Sequence, residues 1–145
     1  MADNLTPTDR SARMALIRSK DTGIELSVRR LIHAQGFRYR LHDKRLPGTP
    51  DLVFAARRKV IFVHGCFWHR HADPECKLAR MPKSNLDFWA PKLEANRVRD
   101  SKHQSELDKL GWNWLVVWEC ELRHTEQLEN KISAFLGRVG RNESR

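Results

Sequence analysis

The chain has 145 residues, 40% of them apolar and 31% charged, and a formal net charge of +9. That length suits one folded domain with its own core, no apolar run approaches the ~20 residues of a membrane span, and the opening Met-Ala-Asp-Asn lacks the pattern of a secretion signal, so a cytoplasmic setting is expected. So basic a small domain points to a polyanionic partner, nucleic acid rather than a membrane surface.

In chain order, residues 1–7 read as loose, and a short helix is expected from Asp9 to Ser19, capped by Thr8. Its exposed face carries Arg10, Arg13, Arg18 and Lys20, and basic residues outnumber acids ten to five over residues 1–45. A second helix starts after Thr22, where Thr22-Gly23-Ile24-Glu25 has the form of a capping box, and stops at Gly36. Phe37 to Leu41 alternates and reads as a strand. After the turn Pro47-Gly48-Thr49-Pro50 come two short apolar strands, Asp51–Phe54 and Val60–Val63. Periodicity stops from His64 to Pro82, where cysteine, histidine and aromatic residues crowd together. Ser84 or Asn85 caps a long helix to about Leu110, with Pro91 near its start and Gly111 as its stop. Trp112–Trp118 is another apolar strand, Thr125 opens a last helix ending near Gly137, and the tail 138–145 is short and polar. This order predicts an α/β fold, a mixed central sheet flanked by helices, in one domain spanning residues 1–145.

Three cysteines do not suit a disulfide framework. With His71 they form the pattern C-x4-H-x4-C-x43-C over Cys66, His71, Cys76 and Cys120. Four thiolate and imidazole donors suit a closed, structural zinc site that staples the loop to the end of the last strand. His64, His69 and Asp73 compete as ligands, and three buried thiols acting as small hydrophobes are the plainer reading.

Asp51 and His64 have the layout of active-site groups on two adjacent strands. A carboxylate at a strand start is a hard oxygen ligand suited to Mg²⁺. A second ligand must come from elsewhere, and the Val63 carbonyl is a candidate. His69 can take a proton from water near neutral pH if a partner such as Asp100 orients it. Each residue alone has a bland reading: Asp51 as a turn aspartate, Glu25 as a cap, Asp100 as part of a solvated helix face. Phe67 and Trp68, two large aromatics in a polar loop, suit contact with DNA bases. Trp89 divides evenly between that role and packing, while Trp112, Trp114 and Trp118 suit packing over the sheet.

Val-His64-Gly65-Cys66-Phe67-Trp68-His69 resembles the core motif of very-short-patch repair (Vsr) endonucleases. Leu-Pro-Gly-Thr-Pro-Asp51, Arg-Ser-Lys-Asp-Thr-Gly-Ile-Glu25-Leu and Val-Val-Trp118-Glu119-Cys120 resemble the family as well. The resemblance implies a restriction-endonuclease-like fold and nicking beside the T of a T:G mismatch left by 5-methylcytosine deamination. It implies Mg²⁺ on Asp51 and the Val63 carbonyl, with His69 as general base oriented by Asp100 and with His64 and Glu25 in support. It implies Zn²⁺ on Cys66, His71, Cys76 and Cys120, and intercalation by Phe67, Trp68 and Trp89. A basic segment over residues 1–20 would embrace the duplex. Double-stranded DNA is then the partner, with mismatch-repair and repair-synthesis proteins beyond it, and a monomer is expected. The rival readings are a restriction-like or homing endonuclease with another target, and a non-catalytic zinc module that binds DNA.

Overall fold

The computed structural model describes residues 23–81 and 84–137. The helix expected at Asp9–Ser19, the basic segment 1–20 and the tail 138–145 lie outside those residues. The described elements are α1 (Gly23–Ala34), β1 (Arg40–Leu41), β2 (Leu52–Phe54), β3 (Lys59–His64), α2 (Leu86–Lys109), β4 (Asn113–Trp118) and α3 (Thr125–Leu136), with short 3-10 turns between them. They form a mixed α/β fold around a four-stranded sheet of order β1-β2-β3-β4. The first two pairings are antiparallel. β3 and β4 run parallel from Lys59↔Asn113 to His64↔Trp118, and α2 makes the crossover that a parallel pair requires.

Side-chain alternation divides the sheet between two cores. Leu52, Phe54, Ile61 and Val117 meet Val28 and Ile32 of α1 and Leu128, Ile132 and Leu136 of α3. Val53, Val60, Phe62 and Val116 meet Leu107 of α2, with Trp112, Trp114 and Trp118 packed around them. Helices thus cover both faces, which explains why the central strands read as nearly continuous apolar runs. Both Asp51 and His64 continue the alternation of the face that α2 covers.

Two helices stop in the same way. Gly36 (φ 101°) and Gly111 (φ 81°) occupy the left-handed region that side chains avoid. The amides of Gly36 and Phe37 return to His33 and Ile32, and those of Gly111 and Trp112 return to Asp108 and Leu107. In each case an apolar pair, Ile32 with Phe37 or Leu107 with Trp112, closes the turn, as in a Schellman motif.

The expected strand over residues 37–41 shortens to Arg40–Leu41, which pairs with Val53 and Leu52. Phe37 is drawn into the core instead, and the Tyr39 hydroxyl donates to the Arg29 carbonyl at 3.2 Å. Asn85 precedes α2 with φ 58° and makes no side-chain cap; its carbonyl accepts the amides of Phe88 and Trp89, each at 3.0 Å.

Ile132, fully buried where α3 meets the sheet, gives a direct check on this packing. Ile132→Ala should cost about 2–5 kcal/mol of unfolding free energy in urea titration, with the unfolding slope unchanged.

Candidate active site and metal centre

A cleft of about 760 Å³ opens between the first turn of α1, the ends of β2 and β3, and the middle of α2. Glu25, Asp51, Val63, His64, His69 and Asp100 all line it. These residues are scattered over the sequence, yet the fold brings every expected catalytic group to one place. They form two clusters, Glu25–His42–Asp51 and His64–His69–Asp100, each with ligand atoms within 4.8 Å of one another.

The first cluster sets a buried carboxylate, Glu25, beside a partly buried one, Asp51. The Val63 amide donates to Asp51 Oδ2 at 2.7 Å. Glu25 accepts from Arg29 and lies 2.9 Å from His42 Nε2, which is itself 3.9 Å from Asp51 Oδ1. Burial is the largest influence on Asp51; together with neighbouring Glu25 it outweighs the Val63 amide and Arg29 and pushes the carboxyl up to about 8. For Glu25 the effect of burial is overcome by hydrogen bonds from Asp51 and His42 and by the charges of His42 and Arg29, so its carboxyl is held low. Two carboxylates this close cannot both ionise cheaply without a cation. The oxygen donors and the surplus negative charge therefore fit a hard divalent ion, for which Asp51 and the Val63 carbonyl at the cleft wall are the candidate ligands.

In the second cluster His69 Nδ1 and Asp100 Oδ2 are 2.6 Å apart. With the carboxylate accepting from Nδ1, the other ring nitrogen of His69 is left as an acceptor. The His64 and His69 rings stack with centroids 3.8 Å apart and planes within 6°. Burial, then the proximity of His69, pushes the His64 imidazole down to about 3 against the opposing pull of Asp100. His64 is therefore neutral at physiological pH.

The cysteine–histidine set closes on itself beside the cleft. Ligand atoms of Cys66, His71, Cys76 and Cys120 lie within 4.8 Å of one another, and Cys120 Sγ is 3.5 Å from His71 Nδ1. All three cysteines are free thiols. Burial raises Cys66 and Cys120. At Cys76 burial is again the largest single influence, but hydrogen bonding from Cys66, the Ala79 amide, Cys120 and the Leu78 amide together outweighs it, so that thiol is held low. Three crowded sulfurs cannot all carry charge unless a cation sits among them, and the donor set fits a four-coordinate metal. The rival ligands go elsewhere: His64 and His69 belong to the cleft, and Asp73 accepts the Glu75 amide at 3.0 Å.

Phe67, Trp68 and Trp89 meet edge to face, with centroids 5.2–5.8 Å apart. Trp89 thus joins the loop aromatics rather than the sheet core, and Phe88 extends the group at 5.0 Å from it. Trp112, Trp114 and Trp118 pack on the sheet, as their strand positions suggested.

The family model for DNA mismatch endonuclease Vsr matches residues 2–77. The chain belongs to the Vsr family of DNA mismatch endonucleases. It is 43% identical over 131 residues to the DNA mismatch endonuclease Vsr of Escherichia coli, covering 90% of this chain and 82% of that one. Identity reaches 50% over 136 residues with the type II nicking enzyme V.XorIIP of Xanthomonas oryzae pv. oryzae, covering 94% and 98%. The type II nicking enzyme V.NmeAIP of Neisseria meningitidis is 47% identical over 139 residues, covering 96% and 97%.

Sequence reasoning missed several residues of the cleft in this Vsr-family chain. Asn96 is buried, and its amide donates to the Trp68 carbonyl at 3.0 Å, tying the aromatic loop to α2. Arg99 and His103 line the same wall. A helical stripe through Asp100 at spacings of three and four reaches Asn96 and His103, so that signal was available. His42 had none, because its place depends on a turn residue at φ 47°.

Asp51 yields a pH prediction. Its carboxyl is raised in the folded state, so the metal-free fold loses stability as pH climbs from about 4 through about 8. Asp51→Asn keeps an acceptor for the Val63 amide and cannot ionise. In magnesium-free buffer the variant should melt above the wild type, by a margin that widens toward pH 8 and then levels in thermal melts.

Proposed function

We propose that this protein nicks duplex DNA on the 5′ side of the T in T:G mismatches, such as those left by deamination of 5-methylcytosine, in a Mg²⁺-dependent hydrolysis. The family supplies the DNA endonuclease activity. The reading rests on one observation above others: Asp51 and the Asp100-bound His69 face the same cleft.

In this reading Asp51 and the Val63 carbonyl would hold Mg²⁺, which would supply Lewis-acid polarisation of the scissile phosphate. His69, held by Asp100 through Nδ1, presents its other nitrogen to a water and takes the proton as that water attacks in line. His64, neutral and buried, backs the His69 ring without competing for the proton. Glu25, compensated by Arg29 and His42, supports the cation site from the side. Phe67, Trp68 and Trp89 form a wedge that opens the base stack, at least cost where the pair is already mismatched. The net charge of +9 draws the duplex through its phosphates. The mixed sheet with helices on both faces supports a restriction-endonuclease-like fold. A nick must be followed by resynthesis, so repair-synthesis proteins are the natural partners.

The test is nicking of a T:G duplex in Mg²⁺ beside matched T:A and C:G duplexes. Only the T:G duplex should be cut, on the T strand. Asp51→Ala and His69→Ala should each lose at least about a hundredfold in kcat while still binding the duplex. Equal cutting of all three duplexes would overturn the mismatch reading and favour a restriction-like target, and full activity of either variant would overturn the site.

The cysteine–histidine centre is read as structural Zn²⁺ on Cys66, His71, Cys76 and Cys120. Metal analysis should find one zinc per chain. Cys76→Ser should bind it far more weakly and melt at lower temperature, because metal-binding energy is folding energy at such a site.

A further inference from the structure

We propose that Trp118 is a positioning residue: its indole lies between His71 of the cysteine–histidine centre and His64, and it fixes the ring stack that aims His69 into the cleft. The inference rests on the reading of His69 as general base.

Four rings run in contact from the metal centre to the cleft. His71 stacks on Trp118 with centroids 4.2 Å apart and planes 13° from parallel. Trp118 meets His64 edge to face at 5.2 Å and 75°, and His64 stacks on His69 at 3.8 Å. The hydrogen bond to Asp100 pins one atom of the His69 ring, leaving the ring free to tip about that atom. The His64 face removes that freedom. His64 in turn is not oriented by a bond of its own at Nδ1, which is buried with no hydrogen-bond partner among the described residues. Its plane is therefore set by packing, from Phe62 at 5.7 Å and from Trp118.

Trp118 is well placed for this. It is the register partner of His64 across the parallel pair. Its amide donates to Glu121 Oε1 at 2.9 Å, and Glu121 is ion-paired with Lys131 at 2.8 Å. The sheet thus anchors one side of the indole while His71 caps its face. Close-packed planar rings pass displacement on rather than absorb it. An ordered metal centre is in this way a condition for an ordered base.

The test compares Trp118→Leu, Trp118→Phe and His71→Cys. The last keeps four zinc ligands and removes the ring from the stack. Trp118→Leu should lose about ten- to hundredfold in kcat on the T:G duplex with KM nearly unchanged. Trp118→Phe should recover most of that loss. His71→Cys should retain one zinc per chain yet lose kcat as Trp118→Leu does. In NMR spectra without substrate, the His64 and His69 ring resonances should move in Trp118→Leu and His71→Cys. Wild-type kcat with unmoved resonances in either variant overturns the proposal. If Trp118→Leu fails to fold, zinc-loaded His71→Cys decides it by the same two readouts. If His69→Ala nicks normally, the general-base reading falls, and the ring resonances still decide whether Trp118 orients the pair.

Discussion

The parallel pairing of β3 with β4 is the constraint on which the molecule depends. Its register ends at His64↔Trp118, and the chain continues two residues beyond each end to Cys66 and Cys120. The Cys120 amide is 3.4 Å from Cys66 Sγ, so the cysteine–histidine cluster extends the strand register past the last ladder bonds. The same pairing sets which face His64 presents, and the antiparallel neighbour β2 then brings Asp51 to the Val63 amide. A slip of one residue would turn His64 to the opposite core and separate the two cysteines, because side-chain direction reverses at every step.

Charge is distributed with equal economy. The cores on both sides of the sheet are built from aliphatic and aromatic side chains, and among the described residues the buried polar Glu25, His64 and Asn96 gather at the cleft. Burying charge is costly unless it is paired. Here Glu25 is paired with Arg29 and His42, His64 is neutral, and burial raises the Asp51 carboxyl. The strain of a non-glycine residue at φ 47° falls at His42, beside these carboxylates, where such strain tends to persist because the surroundings enforce it.

Much of this was legible in the sequence because the local signals agreed with one another. Glycines at 36 and 111 marked two helix ends, and continuous apolar runs marked β3 and β4. Cysteine and histidine spacing named the donor set, although His64 and His69 could be separated from it only once the strand ends were fixed in space. The strand over residues 37–41 was overestimated because its alternation reflects Phe37 and Tyr39 packing against α1, with no partner strand long enough to pair them. His42 and the ring contacts of Trp118 were illegible for a different reason: both arise from long-range placement. A tryptophan in an apolar strand reads as core, and Trp118 is core; its contact with two histidines depends on which strand lies beside it and in what register.

The inward face of α2 has one more implication. Leu93 and Leu107 anchor it at either end, while Asn96, Asp100 and His103 occupy the stretch between. The helix is fastened like a beam at two points, and its span lines the cleft with polar side chains. Replacing the middle of that span with leucines would make a better amphipathic helix and would fill the cleft. Thermal hardening that keeps the cleft open must therefore come from the solvent side of α2 or from the far core.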